Sequence, residues 1–544
     1  MPPRDSLRLI NALAVSAAVL FAVGVATIIV LDRIGAPERL VGAIAPILTL
    51  VGLAIFGLGA RNADLASFLA ARRSAPPFYG GLGLAAVVAG MALCLHPGLA
   101  SFSDPPPLGF AIGAALGAIC FGPLLRRFGA TSPIDVVATR FSGSPAAVIS
   151  GVAAWATAAL TALAGFEVAV SATEALVAPN RLWAEIIVST AVVLSVAPGG
   201  LAGVIWCAAA SAGELAMIVA LGFASAWTQG LASLDSLPEV GAAPFAHGAP
   251  MSLAPLLATA LAVAGFFALQ SPALASRDVG SAVRAGFAGS ALCLALTAMA
   301  ISALSAFPVD MGPHGPNAVA HSFIGALTLA ATLALAGVGA HASSRAFGVG
   351  LANAPRPFPP PASVRLARMR AAQVALIVGC AICDSRGVLD SRTALILAMA
   401  LSLAVTTPII VLAMIKRVGP FSASVATLAA LAVGVSRAVA IARPPNTAEA
   451  FEAALVVATA ALVAGALASL VVPRRTPPST LGAFDPFADA SGRGQEQTAR
   501  FIVDAPIAGG QNPAAFGRVV TVPGRDDAAR SLDDRRKGDD VVRL

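Results

Sequence analysis

Apolar runs long enough to cross a bilayer recur along this chain as far as residue 472, which leaves it few folds to choose from. In hydrocarbon every backbone N–H and C=O must be paired inside the protein, so only helices and closed barrels span. Runs of about 20 apolar residues match a helix, whereas a barrel strand needs about ten. The runs fall at about 8–31, 40–60, 79–98, 107–125, 145–177, 182–197, 200–228, 251–272, 280–307, 319–350, 368–384, 391–415, 418–442 and 448–472. They predict an all-α polytopic membrane protein of about 14 transmembrane helices. A hydrophobic share of 57%, a charged share of 12% and a mean hydropathy of +0.84 exclude an ordinary soluble domain. Alanine and glycine are abundant and Tyr occurs once; small side chains let membrane helices approach closely.

The net charge of +7 is not the footprint of a nucleic-acid binder, because the basic residues sit mostly in short loops. With the N-terminus inside, the inner loops carry Arg61, Arg72, Arg73, Arg126, Arg127, Arg368, Arg370, Lys416, Arg417, Arg474 and Arg475, among others. The outer loops carry fewer: Arg33, Arg39, Arg181, Arg386, Arg392, Arg437 and Arg443. This bias predicts a multi-pass protein of a cell inner membrane with both termini cytoplasmic. The N-terminal apolar run could pass for a signal peptide, but it reaches Leu31 without a clear cleavage site and reads as a retained span. From Pro473 onward Pro, Gly, Asp, Arg and Ser replace the apolar runs, so 473–544 is expected to be a disordered cytoplasmic tail. Six cysteines lie nearly all inside spans; Cys380 and Cys383 form CAIC, but no second pair or His cluster completes a zinc site.

The stretch Tyr79–Pro107 is apolar enough to enter a bilayer, yet Gly90, Pro97 and Gly98 interrupt it. A broken helix in lipid is tolerated where the break is buried in protein or lines a wet cavity, and transporters use such breaks to hold ions and solutes. The span at 251–272 carries its own interruption, Gln270-Ser271-Pro272. Each interrupted span opens a set of five, 79–228 and 251–415, and matched interruptions are the trace of an inverted repeat. The expected organisation is two helices and a basic loop over 1–78, a five-plus-five core over 79–415, two further helices over 416–472, and the tail.

Four stretches carry a family resemblance: DLASFLAARRSAP at 64–76, PLLRRFGATSPIDVVATRFSG at 123–143, PGGLAGVIW at 198–206 and SPALASRDVGSAVRAG at 271–286. A fifth is AVTTPIIVLAMIKRVG at 404–419. In order and spacing they resemble the sodium:solute symporter family, its acetate/monocarboxylate (cation acetate symporter) branch most closely, over roughly 40–472. The resemblance implies a LeuT-like core, a small organic solute and a sodium ion as coupling cation. It places the ion between the Val88 and Met91 carbonyls and hydroxyls of the span at 319–350, where Thr332, Ser343 and Ser344 are the candidates. Those hydroxyls can instead back-bond to the preceding turn of their own helix.

An ionisable residue inside a span is costly enough to be a site candidate. Glu167 is the deepest, and can relay a proton, pair with a cation, or sit protonated between helices. Glu174 lies seven residues on, hence on the same helix face. Glu214 can pair with a polar neighbour, and Arg345 is expected to snorkel. With Glu167, the candidate solute-binding residues are Gly90, His96, Gln270 and Ser271. The five histidines are scattered, and no catalytic triad spacing, metal cluster or phosphate loop points to an enzyme. Two functions follow: a secondary transporter driven by sodium or protons, or a degenerate, non-transporting relative acting as a membrane sensor or partner subunit.

Overall fold

In the computed structural model the described residues are 3–62, 65–73, 75–95, 107–122, 136–137, 140–141, 144–228, 253–266, 275–306, 318–347, 362–415, 418–440 and 447–472. The apolar runs form helices almost where their lengths place them. Two helices, α1 (Pro3–Arg33) and α2 (Glu38–Gly59), precede the short α3 (Leu65–Ala70). A first group follows: α4 (Pro77–Leu95), α5 (Pro107–Leu116), α6 (Pro145–Leu176), α7 (Arg181–Val196) and α8 (Leu201–Thr228). A second group holds α9 (Leu253–Ala264), α10 (Val279–Ala306), α11 (Ala318–Arg345), α12 (Ala362–Ser385), α13 (Ser391–Leu401) and α14 (Thr407–Met414). The last two are joined through a π-helical turn at Ser402–Thr406, and α15 (Pro420–Ala440) and α16 (Thr447–Val471) complete the set.

Among the described residues eight helices are long and apolar enough to cross a membrane: Glu38–Gly59, Pro77–Leu95, Pro145–Leu176, Leu201–Leu221, His321–Arg345, Ala362–Ser385, Ser391–Ala413 and Glu452–Val471. Two shorter apolar helices, Gly109–Phe121 and Pro420–Gly434, lie inside further expected runs. The chain is thus a multi-pass membrane protein.

Local chemistry sets the helix ends. The Asn180 side chain accepts from the Trp183 N–H at 3.1 Å and caps α7, and Asp390 accepts from the Thr393 N–H at 3.0 Å and caps α13. The turn between α7 and α8 requires glycine. Gly200 sits at φ +58°, and a Cβ there would run into the Phe68 ring. By residue type alone, Pro198-Gly199-Gly200 is the signal for a tight turn.

Packing pairs the two groups of helices systematically. Let α4, α5, α6, α7 and α8 correspond to α9, α10, α11, α12 and α13. The packed pair α4–α10 then has its counterpart in α9–α5, α6–α13 in α11–α8, α6–α12 in α11–α7, and α6–α7 in α11–α12. The pairs α6–α11, α5–α10 and α7–α12, which map onto themselves, are also packed. The interior is built mainly of Ala, Val and Leu, whereas Leu428, Leu467 and Leu470 are exposed on α15 and α16, as a lipid-facing surface requires.

Three expectations change. The helix α4 runs unbroken through Gly90 to Leu95, so Gly90 does not interrupt it; Pro97 and Gly98 lie outside the described residues. The run at 391–415 is not one regular helix, because it carries the π-turn. Arg345 does not snorkel: it is 4% exposed and packed inside the protein.

Candidate functional site

Glycine decides how closely the central helices cross. Gly165 on α6 faces α11, where a Cβ would stand 2.6 Å from the Thr332 carbonyl oxygen and 2.8 Å from the Ala336 nitrogen. Gly339 on α11 faces back toward α6, 2.5 Å from the Ala162 nitrogen by the same measure. Gly90 on α4 meets the Ala331 carbonyl and Leu335 of α11, so its small size serves backbone contact between helices. Val88, Met91 and Thr332 gather near this crossing, all at most 1% exposed. The Thr332 hydroxyl donates to the Thr328 carbonyl at 2.7 Å, the back-bond open to a helical threonine. Its oxygen still has lone pairs, so donation does not remove it as a cation ligand.

Ser343 and Ser344 lie elsewhere. Eleven residues separate Thr332 from Ser343, about 16 Å along a helix, so these hydroxyls cannot share one ion with Thr332. The Ser344 hydroxyl donates to the His341 carbonyl at 2.8 Å. Beside it, His341 Nδ1 lies 3.2 Å from Gln373 Nε2, and the Phe68 ring stands edge-on to the imidazole at 5.4 Å. Arg370 closes this region by donating to the Ala197 and Pro198 carbonyls, each at 3.0 Å, and to that of Asn62.

Glu167 is half-buried on α6, with one carboxyl oxygen buried and unpaired. Its electrostatic neighbours are Asp384, Asp390 and Arg181, with the Ser391 N–H at the start of α13. The Cys94 thiol at the end of α4 contacts the Ala164 carbonyl, one turn before Glu167. Arg181 pairs with Glu174 at 3.5 Å, Asp384 at 2.7 Å and Glu185 at 4.0 Å. Around Asp390, burial works to raise the carboxyl, but hydrogen bonds from Thr393 and the backbone, with the Arg392 charge, hold it below the ordinary Asp value. Of the residues singled out in sequence, Glu167 and Glu174 thus come together with Arg181. Glu214 finds the polar neighbour expected of it, accepting from the Thr49 hydroxyl of α2. His96, Gln270 and Ser271 lie outside the described residues.

Sequence reasoning missed two groups. Glu185 and Asp384 are buried acids near helix ends, legible as charges in apolar runs but not as partners. The hydroxyls around the π-turn were also missed. Ser402 donates to the Gly265 carbonyl at 2.7 Å, while Thr406 and Thr407 both donate to the Ser402 carbonyl. Gly265 ends α9, so this cluster ties the first helix of the second group to its last. The sequence signal was a run of hydroxyls ahead of Pro408, and π-turns often mark functional positions.

The sequence matches no protein-family profile and no curated protein. Among solved structures it is similar to a Na+-coupled sialic acid symporter in a substrate-bound, outward-open state. The two are 14% identical with a TM-score of 0.65, over 80% of this chain and 98% of that one. A variant of the Eremococcus coleocola manganese transporter is also 14% identical, over 73% of this chain and 94% of its own, at a TM-score of only 0.42. The first likeness establishes the fold: the chain is a multi-pass helical membrane protein folded like a sodium-coupled symporter.

Proposed function

We propose that the chain is a secondary active transporter that couples a cation gradient, of sodium or protons, to symport of a small organic solute, with monocarboxylates such as acetate the first class to test. The observation that carries this reading is the fold likeness, which takes in 98% of the symporter. The exchange symmetry of the helix pairs supports a five-plus-five inverted repeat, in which solute and ion meet where α4 and α9 end. In this reading the full complement is about 14 spans in a cell inner membrane, with both termini cytoplasmic. The solute-binding residues in this reading are Gly90, His96, Glu167, Gln270 and Ser271. A sodium ion would use the Val88 and Met91 carbonyls with Thr332, because Ser343 and Ser344 are too far along α11 to join them. A proton would use Glu167.

The test is uptake of radiolabelled acetate, pyruvate and propionate into vesicles holding the purified chain, under an imposed sodium gradient and then a proton gradient. Accumulation with sodium that Thr332→Ala abolishes supports the sodium arrangement, and accumulation with protons that Glu167→Gln abolishes moves coupling to the carboxyl. Saturable solute binding without accumulation under either gradient would refute transport and favour a sensor or partner subunit. The close Gly90–α11 contact, and the position of Val88 and Met91 inside an unbroken helix, are what favour that second reading.

A further inference from the structure

Midway along α8 a carboxyl stands inside the spanning region with a hydroxyl for a partner. Glu214 lies within the span Leu201–Leu221, and Thr49 lies within Glu38–Gly59, the whole of α2. The Thr49 hydroxyl is in hydrogen-bonding contact with Glu214 Oε1. It is also 3.0 Å from the Ala45 carbonyl, one turn back on its own helix. A threonine hydroxyl carries one hydrogen, so it cannot fully serve two acceptors at once. Thr161, Thr173 and Thr427 give that hydrogen to the carbonyl four residues back, at 2.7 Å, 2.8 Å and 2.7 Å. When Thr49 does the same, the hydrogen between it and Glu214 has to come from the carboxyl.

No cation offers another solution. The helices packed on α8 are α2, α3, α4, α7, α10 and α11. Their charges stand in the first or last two turns: Glu38 and Arg39 on α2, Arg181 and Glu185 on α7, Arg284 on α10 and Arg345 on α11, with none on α3 or α4. Among the described residues none of these, and no histidine, cysteine or tyrosine on those helices, pairs with Glu214 or acts on it electrostatically. Ser211, one turn earlier on α8, has a buried hydroxyl with no partner and so does not share the carboxyl. A carboxylate inside a span with no counter-charge is costly, and protonation removes the charge. A hard metal cation collects several oxygens, whereas a proton needs one donor and one acceptor, which is what this contact supplies.

We propose that Glu214 is a proton-binding site at the α2–α8 contact, the protonated carboxyl donating to Thr49 Oγ1 while the Thr49 hydrogen goes to the Ala45 carbonyl. When the proton leaves to water, the Thr49 hydroxyl turns and donates to the carboxylate, and the Ala45 carbonyl gives up the back-bond. The carboxyl O–H is the only covalent bond broken, and it is remade when a proton returns from water. Thr49 thus passes the charge state of α8 to the backbone of α2, a helix that precedes both groups. The site lies apart from Glu167 on α6, and it does not depend on the transport reading.

The test is infrared difference spectroscopy of the full chain in lipid nanodiscs across a pH titration, in H2O and in D2O. The expected result is a protonated-carboxyl C=O band that is present at neutral pH, shifts in D2O and disappears in alkali. Glu214→Gln removes that band and Glu167→Gln keeps it. Thr49→Val moves it to higher frequency, because the carboxyl O–H has lost its acceptor, and Thr49→Ser leaves it in place. Gel filtration and helical circular dichroism establish folding of each variant; should Glu214→Gln not fold, the Thr49→Val shift decides. A neutral-pH band unchanged in Glu214→Gln, or unmoved in Thr49→Val, overturns the proposal. So does the lack of any such band, and so does its removal at constant pH by added sodium, which would make the site one for that cation.

Discussion

Gly165→Ala tests the packing that brings α6 against α11. The added Cβ would stand 2.6 Å from the Thr332 carbonyl oxygen, where ordinary contact begins at 3.4 Å, so the helices must part by about 0.8 Å. The atoms opposite are backbone, which cannot swing aside as a side-chain tip can. Overpacking of this kind costs about 1–3 kcal/mol, and the Ala-for-Gly gain in helix propensity returns about 0.5–1 kcal/mol. The expected net loss is up to about 2.5 kcal/mol. Gly379→Ala on α12 is the matched control: nothing stands within 4 Å of its Cβ, so only the propensity gain remains. The assay is the fraction of folded, monodisperse protein left after heating in detergent. Gly165→Ala should lose stability relative to the parent, and Gly379→Ala should match or exceed it. Equal stability of the two variants would refute the claim that glycine sets this crossing. Gly339→Ala strains the same interface from the other side, so combining it with Gly165→Ala should cost less than the two single losses summed.

Three further outcomes are expected. Thr49→Val removes the hydroxyl bonded to Glu214 and should cost about 1 kcal/mol by stranding a half-buried carboxyl oxygen; Thr49→Ser, which keeps the hydroxyl, should recover most of it in the same heating assay. Asp390→Ala strips the cap from α13 and should cost about 0.5–2 kcal/mol. Because the Asp390 carboxyl is held below its ordinary value, its ionic contribution is present above the unfolded value of about 3.9 and is lost as pH falls through the lower folded value. Asp390→Asn should therefore flatten stability against pH below about 4, and an unchanged acid limb would contradict the capping role. Gly265→Ala drives a Cβ into the Thr407 hydroxyl; Thr407→Ala in the same chain should recover part of the folding yield, because only the Thr407 Cβ at 2.9 Å then remains in the way, and no recovery at all would show that another contact fixes the α9 end.

How much was legible follows from the range of each interaction. Helices could be read from local apolarity, since a span needs only its own residues to be hydrophobic. The Gly199–Gly200 turn was legible because a positive φ is a property of one residue, as Gly200 shows. Glu167 and Glu174 were placed on one face by helical periodicity alone, and both do approach Arg181. Gly90 was misread because a glycine in an apolar run can serve as a break or as a contact. The difference lies in the Ala331 carbonyl opposite, some 240 residues away in sequence. The 404–419 stretch was recognisable, but not its π-turn, which depends on Ser402 reaching the Gly265 carbonyl of another helix.

By itself, then, the sequence determined that this chain is a bundle of membrane helices, because hydrophobic run length and backbone pairing leave no alternative. It also determined which few charges a bilayer would have to accommodate. Tertiary structure alone decided which of those charges meet. Arg181 and Asp384 are 203 residues apart in the chain and 2.7 Å apart in space. Periodicity extends only along one helix, whereas an ion pair is fixed by where two helices cross. In this protein small residues set those crossings, and their apolar neighbours carry no sign of what stands opposite.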